Sequence, residues 1–468
     1  MPVLQFLGAT GCVTGSKYLL TFRDGERLMV DCGLFQGPHA LRDRNWEPLS
    51  VDSEKLGSII LTHAHLDHTG FFPRLAKIGF DGKVYASETT VDLCGILWPD
   101  SGKIQEEDAM YANKEGYTKH KPALPLYTED EARTALRFLR GVKYQTPTHI
   151  SKNLSFTLYP AGHILGSCLV SLDIHEPGEA PLNLLFSGDL GRYNQPITPD
   201  PTPIDKADLM VVESTYGDRL HDGTDPKLKL AEVIKSTFRR GGTVIIPSFA
   251  VGRTQELLYI LREMEEEKVI PDIPVFIDSP MASSVTRVLL AHPEEHDLEM
   301  TSLEQHGIDP LGTHDVTFIR SVEESKALNT NAVPKVIIAS SGMCTGGRVL
   351  HHLRHRVSDP ANTVLFVGYQ AEGTLGRYLK DGAKETKIHG ERVVVRTHIE
   401  SIEYFSAHAD YNEELRWLSN LNEPPRAVFI THGEDAARKS LSEKISTQFK
   451  WKTVLPEYLQ TFDLNAIS

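Results

Sequence analysis

Short runs of consecutive apolar residues recur along the chain, and they stop in the same way. Leu28-Met29-Val30 ends at Asp31, Ile59-Ile60-Leu61 at Thr62-His63, and Leu184-Leu185-Phe186 at Ser187-Gly188-Asp189. Met210-Val211-Val212 ends at Glu213, Val336-Ile337-Ile338 at Ala339-Ser340-Ser341-Gly342, and Val428-Phe429-Ile430 at Thr431-His432. Such β-branched and leucine-rich runs, cut off by polar residues, predict buried strands. In layered α/β folds the sheet is rigid and the loops after its strands are free to vary, so functional groups collect there. Six strand ends of this kind predict one shared site.

Amphipathic stretches lie between the runs. Thr254 to Glu267 puts Leu257, Leu258, Ile260, Leu261 and Met264 toward one side and glutamates outward, and Thr128 to Arg140 has a similar apolar face; both predict helices that cover strands. The segment from about His221 to Lys387 has strand and helix signals of its own. It predicts a second α/β unit set within the first, joined at His221–Pro226 and Lys380–Lys384, where polar residues and glycine cluster.

The 468 residues exceed one ordinary core and suggest two or three domains. With 40% hydrophobic and 24% charged residues the chain falls in the soluble globular class. Its start, Met1-Pro2-Val3-Leu4, lacks the pattern of a signal peptide, and no later apolar stretch is long enough to span a bilayer. The expectation is a cytoplasmic protein with no membrane partner. Cys12, Cys32, Cys94, Cys168 and Cys344 form no CxxC pair, so neither a disulfide framework nor a thiolate zinc knuckle is signalled. A net charge of −14 argues against coating nucleic acid through a broad basic face, and leaves room for a small basic cleft.

The densest chemistry is Thr62-His63-Ala64-His65-Leu66-Asp67-His68, directly after a strand. Three imidazoles and a carboxylate within six residues suit zinc, which takes nitrogen and oxygen ligands at roughly 2.0–2.2 Å. His63 and His65 can turn to one ion, Asp67 and His68 to another. Further ligands are offered by His163 in Pro160-Ala161-Gly162-His163, by Asp189, and by His432 in Thr431-His432-Gly433. Asp189 is the natural bridge between two ions, and Asp31 is placed to accept the other ring N–H of a ligand histidine. Most other histidines, including His39, His120, His292 and His306, read as surface or hydrogen-bonded residues. The run His351-His352-Leu353-Arg354-His355 reads as a solvated or phosphate-facing helix, because helical spacing spreads its rings around a cylinder.

HxHxDH followed by a distant His, Asp and His, here His63, His65, Asp67, His68, His163, Asp189 and His432, resembles the metallo-β-lactamase superfamily. Within it the chain is similar to the β-CASP branch of nucleases: acidic motif A matches Glu213 in Glu213-Ser214-Thr215-Tyr216-Gly217, motif B His408 in Phe405-Ser406-Ala407-His408-Ala409-Asp410, and motif C His432. Phe249-Ala250-Val251-Gly252-Arg253, Ser340-Ser341-Gly342-Met343, Gly346-Gly347-Arg348 and Gly368-Tyr369-Gln370-Ala371-Glu372-Gly373-Thr374-Leu375-Gly376-Arg377 resemble bacterial ribonucleases related to the endonuclease subunit of the cleavage and polyadenylation specificity factor.

The resemblance implies an α/β fold: a metallo-β-lactamase αββα sandwich made by residues 1–217 and 387–468, with a β-CASP cap over 218–386. It implies two zinc ions per chain, RNA as substrate and room for a homodimer. It makes Asp67, Glu213 and His408 the candidate catalytic groups, Asp67 also being a ligand, with Glu213 holding the His408 ring. Arg253, Ser340, Ser341, Gly342, Arg348, Arg377 and Ser406 become candidate phosphate contacts. A histidine at motif C favours RNA, where DNA-directed relatives tend to carry valine. The chain shows neither an amino-terminal KH extension nor the extra carboxyl-terminal domain of ribonuclease J, so contacts that depend on those parts do not carry over. The rival readings are a DNA-directed nuclease of the same superfamily, a small-molecule hydrolase sharing the metal cluster, and a catalytically silent RNA-binding scaffold.

Overall fold

The computed structural model describes residues 2–49, 53–116, 121–221, 223, 225–368, 370–402 and 405–467. His120 and Tyr369, and Asp222 and Thr224 of the first expected joint, lie outside them. The chain divides into two compact units, one made of Met1–Gln195, Pro199–Leu220 and His408–Ser468, the other of Pro196–Thr198 and His221–Ala407. The second boundary therefore falls about twenty residues beyond the expected 386. The reason is pairing: strand His398–Ser401 runs parallel to Thr363–Phe366 and completes the sheet of the second unit.

The first unit is built on two seven-stranded sheets. In one, the amino-terminal strands Val3–Phe6, Tyr18–Thr21, Arg27–Val30, Ser58–Ile60, Lys83–Ser87 and Leu139–Val142 are joined at the edge by Thr461–Asp463. The other holds Cys168–Ile174, Leu182–Phe186 and Leu209–Val212 beside Ala427–Ile430 from the carboxyl-terminal segment. Alternate residues of both sheets meet in one core. Phe6 packs against Tyr18 and Phe429 with ring centroids 5.8 and 5.3 Å apart, and Tyr18 packs against Phe186 at 5.6 Å. Each such buried ring contributes roughly 1.5–3 kcal/mol.

Helices cover the outer faces. Leu415, Trp417 and Leu418 of helix Tyr411–Leu418, with Leu441 and Ile445 of Asp435–Gln448, pack on Leu185, Met210, Val212, Val428 and Ile430. On the other face, the long helix Glu88–Glu115 lies against the strands Lys83–Ser87 and Leu139–Val142. Phe72, Phe80, Trp98 and Phe138 form an aromatic cluster there. The result is a helix–sheet–sheet–helix sandwich. The helix expected over Thr128–Arg140 is shorter: Thr128 caps Glu129–Ala135, a tight turn follows, and Leu139–Val142 is recruited as a strand parallel to Lys83–Ser87.

The second unit has a six-stranded parallel sheet in the order 315–318, 274–278, 335–339, 243–247, 363–366, 398–401. Helix Arg253–Glu266 lies within one residue of its expected span and buries Leu257, Leu258, Ile260, Leu261 and Met264. No described helix is long and apolar enough to cross a membrane, and the five cysteines are free thiols.

Candidate metal centre

The metal-candidate side chains all come from loops that follow strands of the first unit. The His63–His68 loop is held by its backbone: Cys32 N–H donates to His68 O at 2.7 Å and Ser16 N–H to Asp67 O at 2.9 Å. Gly33 is required for this approach, since a Cβ there would lie 1.6 Å from Asp67 O. Asp31 and His432 adopt left-handed backbone, φ 58° and 45°. Non-glycine residues rarely do so, and such conformations cluster at functional sites.

Two sets of donors flank Asp189. His65 Nδ1 lies 3.1 Å from His63 Nε2 and 3.3 Å from His163 Nε2, and those two nitrogens lie 3.4 and 3.6 Å from Asp189 Oδ2. On the other side His68 Nε2 is 3.1 Å from His432 Nε2 and 3.2 Å from Asp189 Oδ1, and His432 Nε2 is 3.5 Å from Asp67 Oδ2. Four ligands about 2.0–2.1 Å from one tetrahedral centre are about 3.3 Å apart. Both sets have that spacing, and each gathers its donor atoms within 4.8 Å.

The tautomers agree. His68 Nδ1–H donates to Asp31 Oδ2 at 2.7 Å, which turns the Nε2 lone pair inward. Asp31 also accepts from Thr62 N–H at 2.8 Å and Thr62 Oγ–H at 3.0 Å, and the Thr62 oxygen in turn accepts from His63 Nδ1–H at 3.0 Å. Thr215 Oγ lies 3.1 Å from His432 Nδ1. Burial drives His63 and His65 below the ordinary histidine range, and like-charged neighbours add to it, so both are neutral donors of lone pairs. Asp189 ionises readily: burial opposes this, but His432, His68 and His63 together hold its carboxyl well below the usual range. Burial opposes charge on His68, but Asp189 and Asp31 hold it well above the ordinary histidine range, so it would give up its Nε2 proton to a metal. Imidazoles around ionised carboxylates are a donor set suited to zinc. Sequence reading did not single out Thr62 or Thr215; the signal for Thr62 is its place directly before His63, and for Thr215 its place two residues after Glu213.

Next to this cluster, His408 Nδ1 lies 3.0 and 3.1 Å from the two oxygens of Glu213 and 4.0 Å from Asp189 Oδ2. Glu213 is fully buried and is itself fixed by Leu190 N–H at 2.7 Å and Thr215 N–H at 3.2 Å. Burial opposes charge on His408, but Glu213 and, behind it, Asp189 and Asp67 raise its pKa to about 9. Antiparallel backbone pairing of His408 with Gly191, with Ala409 N–H donating to Leu190 O at 2.8 Å, anchors the main chain there.

The sequence matches the metallo-beta-lactamase superfamily over residues 10–165, the Beta-Casp domain over 254–379 and the Zn-dependent metallo-hydrolase RNA specificity domain over 392–456. It is 36% identical over 450 residues to Ribonuclease TTHA0252 of Thermus thermophilus, covering 95% of this chain and 96% of that protein. The chain belongs to the β-CASP branch of the metallo-β-lactamase superfamily. Other β-CASP relatives are an RNase J-like protein of Methanocaldococcus jannaschii, 31% identical over 97% of this chain and 98% of that one, and Transcription termination factor FttA of the same organism, 32% identical over 97% of this chain and 70% of that one. A crystal structure of a protein of unknown function from Enterococcus faecalis shares the fold, with a TM-score of 0.55 over 98% of this chain and 99% of that one at 12% identity.

The candidate phosphate contacts of this β-CASP chain belong to the second unit, and the structure gives most of their polar atoms internal partners. Arg253 binds Glu256 and the Phe405 carbonyl, and Arg377 binds Asp381. Ser340 Oγ is 2.8 Å from Ser279 Oγ, while Ser341 Oγ accepts from Thr345 and Gly346 N–H around Gly342. Arg348 donates to Asp278 at 2.6 Å. Ser406 is half-buried. The histidine-rich helix, Arg348–Arg356, expected to be solvated or phosphate-facing, is exposed on one side only: His351 and His355 are open, but His352 is fully buried, with Nε2 2.6 Å from Asp278 Oδ2, and Arg356 is buried as well. Asp278 holds His352 and Arg348, while Arg356 donates to Asn329 Oδ1 at 2.7 Å and to the Leu328 carbonyl. Of the other histidines, His39 is exposed, His292 bonds Glu294, and His306 bonds the Ser302 carbonyl.

Proposed function

We propose that this chain is a two-zinc ribonuclease that hydrolyses RNA phosphodiester bonds in RNA processing or decay, inside the cytoplasm. The observation that carries the reading is Asp189 lying between two sets of ligand-type donors, with the charged His408–Glu213 pair beside it. His63, His65 and His163 would hold one ion, and Asp67, His68 and His432 the other, with Asp189 shared. Zinc bound there supplies charge neutralisation for a phosphate and water with a pKa lowered toward about 7.

The chain's own residues do the rest. Asp31 and Thr62 lock the ligand rings in the tautomers that face inward. His408, kept protonated by Glu213, can hand a proton to the leaving oxygen or hold a phosphate oxygen. The relatives named as ribonuclease and RNase J-like, with the match to an RNA specificity domain, support RNA as the substrate. The candidate phosphate contacts of the second unit, Ser341 and Gly342 among them, rest on the family resemblance.

The test is a doubly end-labelled RNA incubated with zinc-loaded protein beside the matched DNA strand. Cleavage of RNA over DNA, about two zinc per chain and loss of activity to chelator are expected. Product lengths separate internal cutting from digestion at an end, and light scattering tests the homodimer. Zinc-independent cleavage, or none at all, overturns the reading.

A further inference from the structure

Phe249 is an exposed aromatic residue in the second unit, with 46% of its surface open, yet its main chain is firmly held. Its carbonyl accepts from Thr254 Oγ–H at 2.9 Å and Ser248 Oγ–H at 3.2 Å, and both hydroxyl residues are almost wholly buried. Ser248 N–H in turn donates to Ala339 O at 3.0 Å. The backbone of Gly342 comes up against the ring: a Cβ there would lie 2.9 Å from Phe249 Cδ2 and Cε2, so only glycine allows the contact. The Gly342 turn is secured from behind by buried Gln370, whose Nε2 donates to Gly342 O at 3.0 Å. Leu298, by contrast, is exposed on the helix Leu298–Gln305.

The topology gives this ring its meaning. From strand Thr243–Pro247 the chain leaves through helix Arg253–Glu266 toward Pro274–Asp278 on one side of the sheet. From the neighbouring strand Thr363–Phe366 it continues to His398–Ser401 on the other side. The two connections diverge, which makes the carboxyl ends of these parallel strands a topological switch point, the place where open α/β sheets bind ligands. Phe249 stands two residues beyond Pro247, at that switch point.

We propose that Phe249 is a stacking platform for one unpaired nucleobase of the RNA. The inference rests on the ribonuclease reading and adds a base contact to it. An aromatic ring held rigid at low entropic cost, open on its remaining surface and free of hydrogen-bonding groups, fits the π-face of any base and reads no sequence. A phosphate or sugar would gain little from it.

The test compares the full-length zinc-loaded parent with Phe249→Leu and Phe249→Trp on single-stranded RNA, alongside direct binding of oligonucleotides that each lack one base. Phe249→Leu keeps an apolar contact with Gly342 but cannot stack. It should raise KM and Kd on the order of tenfold with little change in kcat, while Phe249→Trp keeps the parent values. Removal of a base at one position should weaken binding to the parent and leave Phe249→Leu indifferent. Equal KM values for parent and Phe249→Leu overturn the proposal. So does an equal loss in Phe249→Trp, which marks a packing role. If the parent binds RNA in this base-dependent way but does not cleave it, the ribonuclease reading falls and the platform stands. If it cleaves with no base dependence, the platform alone falls.

Discussion

His408 shares one ring nitrogen with both oxygens of the Glu213 carboxylate, at 3.0 and 3.1 Å, and this pairing keeps the imidazole charged up to about pH 9 despite burial. A raised pKa means the protonated form is present below it and lost above it. If His408 acts as a proton donor, activity falls on the alkaline side. Glu213→Gln removes the charge and keeps the shape, so the alkaline limb of kcat/KM should move toward lower pH. The loss should exceed about tenfold near pH 8 and be smaller near pH 6. An unshifted limb with normal zinc content would separate His408 from the proton transfer.

Metal retention distinguishes ligands from the groups beside them. His65→Ala, at a half-buried position, removes the nitrogen facing both His63 and His163. It should lower zinc below two per chain and abolish cleavage. His408→Ala should keep zinc and cut kcat by about a hundredfold. Atomic absorption on the purified variants, with cleavage rates measured in parallel, reads both outcomes.

Asp31 touches three groups that orient ligands: His68 Nδ1, Thr62 N and Thr62 Oγ. Asparagine also tolerates the left-handed backbone found there, so Asp31→Asn tests charge with little strain. Zinc affinity should fall about ten- to a hundredfold, as when the hydrogen-bond partner of a ligand is weakened. Competition against a chromophoric chelator measures it, and an unchanged melting temperature in metal-free protein confirms that the fold persists.

Much of this was legible because the strands announce themselves. A run such as Ile59–Leu61 followed by Thr62-His63 gives both the buried strand and the loop that carries chemistry, and Asp31, Asp189, Glu213 and His432 follow by the same pattern. What pattern could not supply was partnership across distance. Leu139 and Arg140 read as the end of the amphipathic stretch from Thr128, yet parallel pairing of Leu139–Val142 with Lys83–Ser87 makes them strand. The helix Arg348–Arg356 looks solvated until Asp278, seventy residues earlier, is seen to bind Arg348 and His352. Glu414 gave no signal at all, since one more glutamate in Asn412-Glu413-Glu414 resembles an exposed helix face.

Glu414 is nonetheless fully buried on helix Tyr411–Leu418, and neither carboxyl oxygen finds a hydrogen-bond partner among the described residues. Burial raises its pKa well above the ordinary carboxylate value, and the negative charges of Glu213, Asp410 and Glu413 add to that, so the folded protein keeps it protonated where the unfolded chain would ionise it. The sign follows from proton counting. A carboxyl whose folded pKa is raised imposes no penalty below its unfolded pKa, near 4.5, and a growing one as pH rises above it. Glu414→Gln has the shape of the protonated side chain and cannot ionise. It should raise the melting temperature on the order of a few degrees near pH 8, and the gain should shrink to nothing as pH falls to about 4.5. Calorimetry of parent and variant across that range reads the difference. A gain independent of pH would mean that packing rather than charge sets the cost, and a loss at every pH would mean that the Glu414 carboxyl has a partner which stabilises it.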